Sequence, residues 1–349
     1  MVAPTSAHLL VGVVGSGKTT ELFAIQQRLN QLDDTRAFYV DVSKGHDIQA
    51  LVPGAIVFQA ALALGRGFVA SAAGSSEDRR GASATIERLS AIAEGYRPDS
   101  NEYPGDGGRG VVRRPDPLDA QWVEAAETLR RLLRPIRNRW PHLVVLLDGL
   151  DRLTNLSTVE KAIRSDLTWL RDLGIGTVLV GPLSAVYGNH RASLGHFAST
   201  QSHPWIDTTR GSNGTMLLSA ALLRRLPRDV LDDAALETLV RNSGGVFRDL
   251  MSLARSACVE AYMTGSDIIS KAHADAAVDA FGRKHMQGIS STELEALQRV
   301  RASAAFVQSA EVALPLLMSR RVLEYVGPKE ERRYVVHPTI VPFLRQLAR

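Results

Sequence analysis

Apolar positions follow two different spacings along the chain. In the first 200 or so residues, short runs of consecutive apolar residues, typical of buried parallel strands, alternate with segments that are apolar every three or four positions, typical of helices. The runs are His8–Val11, Ala37–Val42, His142–Leu147 and Thr177–Gly181, with Trp205–Asp207 as a further short candidate. This alternation predicts an α/β fold, a three-layer domain built on a parallel sheet, over 1–214.

Beyond residue 214 the spacing becomes helical throughout. Four segments, 215–226, 229–241, 247–264 and 267–284, predict an all-α region over 215–286. The stretch 287–349 predicts a helix opened by a Ser290–Glu293 capping box, a second helix over 314–321, a β-hairpin and a last helix from Pro338. That order is typical of a small winged-helix domain.

One segment, 65–117, has no clear spacing and is rich in Gly, Pro, Ser and Arg. Apart from a short helix near 86–93, it is expected to be a flexible insertion in the first domain. Arg109, Arg113 and Arg114 are either contacts for a partner or a phosphate, or part of a solvated loop.

The composition is that of an ordinary soluble protein: 349 residues, 45% hydrophobic and 22% charged. No apolar run is long enough to cross a bilayer, and no signal peptide is recognisable, so a cytoplasmic protein with no membrane partner is expected. Cys258 is the single cysteine. It lies on the apolar stripe of a predicted helix, which favours a core residue over a nucleophile.

The formal net charge is +4, and the segment 318–349 carries the whole of this excess. Its basic residues include Arg320, Arg321, Lys329, Arg332 and Arg333. They allow contacts with nucleic acid phosphates as one alternative for this segment.

A glycine-rich turn follows the first predicted strand and matches the P-loop spacing, with Gly12, Gly17, Lys18 and Thr19 at the defining positions. Glycines let backbone N–H groups converge on phosphate oxygens, and the helix that follows adds its positive end. Lys18 would reach the β- and γ-phosphates, and the Thr19 hydroxyl would bind Mg²⁺. The candidate ATP-binding residues are Gly12, Gly15, Ser16, Gly17, Lys18, Thr19 and Thr20.

A second candidate lies at the carboxyl end of the strand His142–Asp148, where open α/β sheets bind ligands. Asp148 is placed to hold Mg²⁺ directly or through water. The next residue, where a catalytic carboxylate is usually sought, is Gly149. Asp151 is therefore either the carboxylate that orients or activates the attacking water, or a turn residue without a catalytic role.

For other polar residues near the predicted ends of strands or helices, the sequence allows more than one role. Ser184 is either a sensor of the γ-phosphate or a turn residue. Arg248, in the first turn of a helix after Gly244–Gly245, is either such a sensor or part of a surface salt bridge. An arginine supplied to a neighbouring copy's site would come from Arg152, Arg191 or Arg210.

Four features together resemble the STAND and AAA-like P-loop ATPases, with the Orc/Cdc6-type initiators more distantly similar. They are Gly15-Ser-Gly-Lys-Thr-Thr-Glu-Leu22, the strand ending in Asp148-Gly-Leu-Asp151, Gly244-Gly-Val-Phe-Arg248, and the hairpin with Val335-Val-His-Pro338. The resemblance implies an ATPase with Mg²⁺, a helical lid bearing a sensor arginine (Arg248), a later acid (Asp151) in place of an adjacent glutamate, and a winged helix.

The chain departs from that pattern in lacking the adjacent glutamate and any attached effector domain, and in the segment 65–117. Slow or partner-gated ATP hydrolysis is expected, by a conformational switch that self-associates or acts on a separate effector protein, with defence or signalling in bacteria as the implied setting. The alternatives are a DNA-binding initiator or loader ATPase, and a small-molecule kinase.

Overall fold

The computed structural model describes residues 5–44, 47–71, 73–94, 120–153, 156–187, 195–209, 213–304, 306, 312–327 and 331–347. Two compact units divide the chain. The first contains Met1–Gly12 and Lys18–Ser202, and the second contains Val13–Gly17 and His203–Arg349. The predicted domain boundaries at 214 and 286 stay predictions.

A parallel five-stranded sheet forms the centre of the first unit, with the order β2-β3-β4-β1-β5. Its strands are β1 (Ala7–Val11), β2 (Thr35–Asp41), β3 (His142–Asp148), β4 (Ile175–Gly181) and β5 (Ser199–Ser202). The helices of this unit are α1 (Lys18–Leu29), α2 (Ala55–Ala70), α3 (Ser76–Glu94), α4 (Ala120–Arg139) and α5 (Leu156–Asp172). The predicted α/β fold with a parallel sheet is confirmed.

Both faces of the sheet are covered, which explains why its strands are runs of apolar residues and not alternating ones. Leu22 of α1 packs with one set of strand residues: Leu10, Ala37, Leu146 and Val180. The opposite face packs against α2, α4 and α5 in a larger core that includes Phe58, Leu133 and Leu170. α1 ends at Leu29, and Leu32, beyond its end, is 52% exposed.

The prediction of a flexible insertion is wrong for residues 65–70, which belong to α2, and for 76–85, which belong to α3; the short helix predicted near 86–93 is the last part of α3. Phe68 and Leu89 are fully buried in the core. Gly67 serves close packing: a Cβ there would lie 2.5 Å from the Phe38 ring. A glycine that suggested a loop in the sequence therefore marks a tight contact. Residues 95–119, including Arg109, Arg113 and Arg114, lie outside the described ranges.

Another correction concerns the last strand of the sheet. It is formed by Ser199–Ser202 and not by the predicted Trp205–Asp207. The four residues of β5 are polar and, among the described residues, pair with β1 alone, so their sequence has no apolar run that marks a strand.

The second unit contains a helical layer and a β-hairpin. Its elements are α6 (Asn213–Leu223), α7 (Asp233–Asn242), α8 (Phe247–Met263), α9 (Lys271–Met286), α10 (Ser291–Ser303), α11 (Ala313–Met318), β6 (Val322–Val326), β7 (Arg332–Val336) and α12 (Val341–Leu347). The Ser290–Glu293 capping box is present, and β6 and β7 pair antiparallel to form the predicted β-hairpin.

Cys258 is half-buried against the apolar core of α6–α9, as expected, and burial raises the pKa of its thiol. Within the described ranges, none of the helices has both the length and the apolarity needed to cross a bilayer.

Candidate nucleotide site

Lys18 begins α1 directly after the glycine-rich turn, and its side chain is 3% exposed. A buried ammonium is costly unless it is paired. The Lys18 Nζ donates to the Gly12 carbonyl at 2.9 Å and lies 2.8 Å from the Asp151 Oδ2. These contacts hold the cation beside the carboxyl ends of β1 and β3, where phosphates would need it.

Asp148 ends β3 and is 6% exposed. Two hydroxyls donate to its Oδ2, the Thr19 hydroxyl at 2.7 Å and the Tyr39 hydroxyl at 2.9 Å. The Gly149 N–H donates to its Oδ1 at 2.8 Å. The structure thus brings together Thr19 and Asp148, which are 129 residues apart in the sequence. Thr20 is exposed in the first turn of α1.

Tyr39 is a site residue that the sequence reasoning missed, because it stands within an apolar strand and looks like a core residue. Its pKa is well above the usual value of 10, because of burial, the hydrogen bond to Asp148 and the charges of Asp148 and Asp41. The Tyr39 ring lies 4.6 Å from the Phe23 ring, centroid to centroid. Its hydroxyl therefore stays protonated and acts as a donor that orients Asp148.

The turn after β3 explains why no glutamate follows Asp148. Gly149 has φ +95°, which disfavours any side chain. A Cβ at Gly149 would lie 2.9 Å from the Asp41 Oδ1 and 3.1 Å from the Ser43 backbone nitrogen. Asp41 is a second carboxylate missed by the sequence reasoning. The alternation Tyr39–Asp41 at the end of β2 is the signal that could have found it.

Asp151 lies in a 3₁₀ turn, Leu150–Arg152, and only 10% of its side chain is exposed. Its ion pair places Asp151 next to Lys18, a residue proposed to bind phosphate. Among the arginines considered for a neighbouring copy's site, Arg152 is exposed in the same turn, and Arg191 and Arg210 lie outside the described residues.

Gly15, Ser16 and Gly17 form a tight turn, in which the Ser16 N–H donates to the Val13 carbonyl at 3.1 Å. Gly15 has φ +96° and Gly17 has φ +105°, so both positions favour glycine, and Gly17 is one of the two glycines that define the motif. The Ser16 hydroxyl is buried and has no hydrogen-bond partner among the described residues.

Arg248 lies in the first turn of α8, in the same unit as Gly15. Its Nε is 3.4 Å from where a Cβ of Gly15 would stand. Within the described part of the chain, Arg248 forms no ion pair, and the neighbouring Asp249 pairs instead with Arg320, Nε to Oδ2 at 2.9 Å. The salt bridge that would have given Arg248 a purely structural role is therefore not made with Asp249.

Ser184 lies in the 3₁₀ turn Leu183–Ala185 that follows β4. Its hydroxyl is buried and has no hydrogen-bond partner among the residues that the structure describes. It remains a candidate for a polar contact with a ligand.

The donor set suits Mg²⁺ held largely by phosphate and water. In the described ranges no group of three or more His, Cys, Asp or Glu side chains forms a metal site. Thr19 and Asp148 offer one hydroxyl and one carboxylate, which fits Mg²⁺, since this ion keeps several waters and takes substrate phosphates as ligands.

The basic residues near the hairpin are mostly engaged within the second unit. Arg332 pairs with Glu324 at 2.8 Å and Arg333 with Asp207 at 2.6 Å. Arg321 lies 3.3 Å from Glu293, and Arg320 pairs with Asp249. Lys329 lies outside the described residues. Four of the five arginines and lysines considered for DNA contacts are thus held by carboxylates of the chain itself.

Comparisons with solved structures give distant likenesses. The chain is similar to the Aeropyrum pernix ORC2 protein in its ADPNP–ADP complexes (TM-score 0.42, 13% identity, 99% of this chain and 89% of that one). It is also similar to Cdc6p from Pyrobaculum aerophilum (TM-score 0.41, 14% identity, 98% of this chain and 88% of that one). A further similar structure is the Thermotoga maritima RuvB Holliday junction branch migration motor (TM-score 0.39, 13% identity, 97% of this chain and 87% of that one). No protein-family model and no curated protein matches the chain. At these TM-scores the function must be argued from the residues of the site.

Proposed function

We propose that this protein is a Mg²⁺-dependent ATPase of the P-loop class that works as a conformational switch. The observation that carries the proposal is the convergence of Lys18, Thr19 and Asp148 at the carboxyl ends of β1 and β3. The Lys18 ammonium and the P-loop N–H groups would bind the phosphates. Thr19 and Asp148 would hold Mg²⁺, which when bound neutralises charge on the phosphate oxygens.

Arg248 is proposed as the sensor of the γ-phosphate. The proximity of its side chain to Gly15, and its lack of an ion pair within the described residues, support this role. ATP hydrolysis would remove the phosphate that Arg248 contacts and so change the state of the second unit. Such a switch fits the resemblance to STAND-type ATPases, whose output would here come from self-association or from a separate effector protein.

The proposal is tested by phosphate release from ATP with no acceptor present, comparing the unaltered chain with Asp148→Ala. We expect slow, Mg²⁺-dependent release that Asp148→Ala abolishes. Turnover only when a small-molecule acceptor is added would indicate a kinase. Equal release by the variant would overturn the site.

Nucleotide-dependent assembly tests the switch itself. We expect the molecular mass in solution, measured by light scattering, to rise with a slowly hydrolysed ATP analogue and Mg²⁺ and to return with ADP. The matched control is Lys18→Ala, which should show no such change. If the ATP analogue leaves the mass of the unaltered chain unchanged, both with and without a separate partner protein, nucleotide-dependent self-association is contradicted.

DNA binding through the hairpin is the less supported alternative, because Arg320, Arg321, Arg332 and Arg333 are ion-paired within the chain. A duplex-DNA shift assay over a salt series decides it. Affinity at low salt that falls steeply as salt rises would favour the initiator or loader function. We expect no shift.

A further inference from the structure

Asp41 stands beside Asp148 at the carboxyl edge of the sheet. The two residues are register partners in the parallel pair β2–β3, and the Val42 N–H donates to the Asp148 carbonyl at 2.9 Å. Register partners on parallel neighbouring strands present their side chains on the same face. Tyr39, two residues earlier on that face, contacts Asp148 directly. Asp41 therefore faces the same region as the proposed Mg²⁺ ligand.

The Asp41 carboxylate also fills the space that a side chain at position 149 would take. Its Oδ1 lies 2.9 Å from where a Gly149 Cβ would stand. That position, directly after the metal-binding aspartate, is where a carboxylate that activates water is usually sought. The chain thus replaces a carboxylate on β3 with one that arrives from β2.

One oxygen of Asp41 is held and the other is available. Its Oδ1 accepts the Ser43 N–H at 3.1 Å and the Ser43 hydroxyl at 2.6 Å. Its Oδ2 makes no hydrogen bond or ion pair with the described residues, and the side chain is half-buried. A carboxylate fixed through one oxygen presents the other in a defined direction, as a proton acceptor must.

Asp151 is in a different situation. Its Oδ2 lies 2.8 Å from the Lys18 ammonium, so this oxygen is held by the cation and is not presented to water. The pairing suits a residue that positions Lys18 better than one that takes a proton from water.

We propose that Asp41 is the carboxylate that activates the attacking water, a role that rests on the proposed ATPase function. The Asp41 Oδ2 accepts a proton from water as the water oxygen forms a bond to the γ-phosphorus. The bond from that phosphorus to the β,γ-bridging oxygen breaks, and its electron pair stays on the β-phosphate. The products are ADP and inorganic phosphate, and the proton on Asp41 passes to solvent or to phosphate.

The experiment compares Asp41→Asn, Asp151→Asn and, as a matched control on the surface, Asp33→Asn in the exposed turn before β2. Each variant is measured for kcat of phosphate release, for equilibrium binding of a fluorescent ATP analogue, and for its Mg²⁺ requirement. Asn keeps the oxygen that accepts from Ser43, so Asp41→Asn should fold, and its thermal unfolding is recorded. Asp41→Glu serves as the second variant, because it restores a carboxylate.

We expect Asp41→Asn to lower kcat by at least about 100-fold, with nucleotide affinity and Mg²⁺ requirement unchanged, and Asp41→Glu to recover part of the rate. Asp151→Asn should lose less than about tenfold in kcat, and Asp33→Asn should lose nothing.

Three results would overturn the role of Asp41. They are an Asp41→Asn rate near that of the unaltered chain, a larger loss in Asp151→Asn than in Asp41→Asn, and a loss that excess Mg²⁺ restores, which would make Asp41 a metal ligand. In each case Lys18→Ala would remain inactive and the ATPase proposal would stand. If the unaltered chain releases no more phosphate than Lys18→Ala, the proposed function itself fails, and the role of Asp41 with it.

Discussion

The Lys18 ammonium lies 2.8 Å from the Asp151 carboxylate, and both side chains are almost fully buried. The ammonium proposed to bind phosphate is thus paired with a carboxylate of the same chain. Nucleotide binding would have to exchange this partner for phosphate oxygens. Such an exchange lowers the affinity for ATP by the free energy needed to separate the pair.

Asp151→Asn is therefore expected to bind ATP more tightly than the unaltered chain, on the order of several-fold, because a neutral amide competes less for Lys18. ATP binding is retained while hydrolysis slows modestly. Equilibrium titration with a fluorescent ATP analogue measures the change. Weaker binding by Asp151→Asn would show that Asp151 helps to hold the nucleotide or its metal.

Tyr39→Phe removes one of the two hydroxyl donors to Asp148 and keeps the ring that packs on Phe23. We expect the Mg²⁺ concentration for half-maximal turnover to rise a few-fold, since Asp148 would be held less firmly in the orientation proposed to bind the metal. Tyr262→Phe is the control, because Tyr262 is 83% exposed on α8. An unchanged Mg²⁺ requirement in Tyr39→Phe would show that the Tyr39 hydroxyl is not needed to orient Asp148.

Arg320→Met leaves the carboxylate of Asp249, which is 1% exposed, without its arginine partner. Breaking a buried ion pair in this way costs about 3 kcal/mol of unfolding free energy, since one charge remains buried. Chemical denaturation measures the loss. Lys271→Met breaks the exposed pair with Asp275 and should cost less than about 0.5 kcal/mol. A similar small cost in both variants would contradict the structural role of the Asp249–Arg320 pair.

The free energy of unfolding should depend on pH through the protonation of His285. Burial is the main cause that lowers the pKa of His285 to about 4; the charges of His337, Arg320 and Arg321 act in the same direction and Asp249 opposes them. The unfolded chain binds a proton near the ordinary value of 6.5. The contribution of the neutral His285 to the free energy of unfolding is therefore fully present above about pH 6.5. It is lost as the pH falls toward 4, by on the order of 2 kcal/mol.

Chemical denaturation at pH 7 and pH 5 checks this dependence. His285→Phe should reduce the loss between the two pH values, whereas His196→Gln, at an exposed position, should leave it unchanged. The same loss in His285→Phe as in the unaltered chain would assign the pH dependence to other groups.

The sequence predicts those parts of the fold that local patterns determine. The hairpin strands, the capping box at Ser290 and the P-loop glycines follow from spacing and from turn chemistry within a few residues. Asp41 and Gly149 could not be paired in this way, because only the parallel register of β2 and β3 brings them together. The prediction of a loop around Gly67 was wrong, because a glycine is needed there for a tight contact with Phe38 across the core.

The most direct test of the central claim is Mg²⁺-dependent phosphate release from ATP by the unaltered chain and by Lys18→Ala, measured in parallel with nucleotide binding. The predicted result is turnover that requires Mg²⁺ and falls by on the order of 100-fold or more in Lys18→Ala, together with weaker ATP binding. Turnover and binding that are the same in both proteins would contradict the assignment of Lys18 and the P-loop as the nucleotide site.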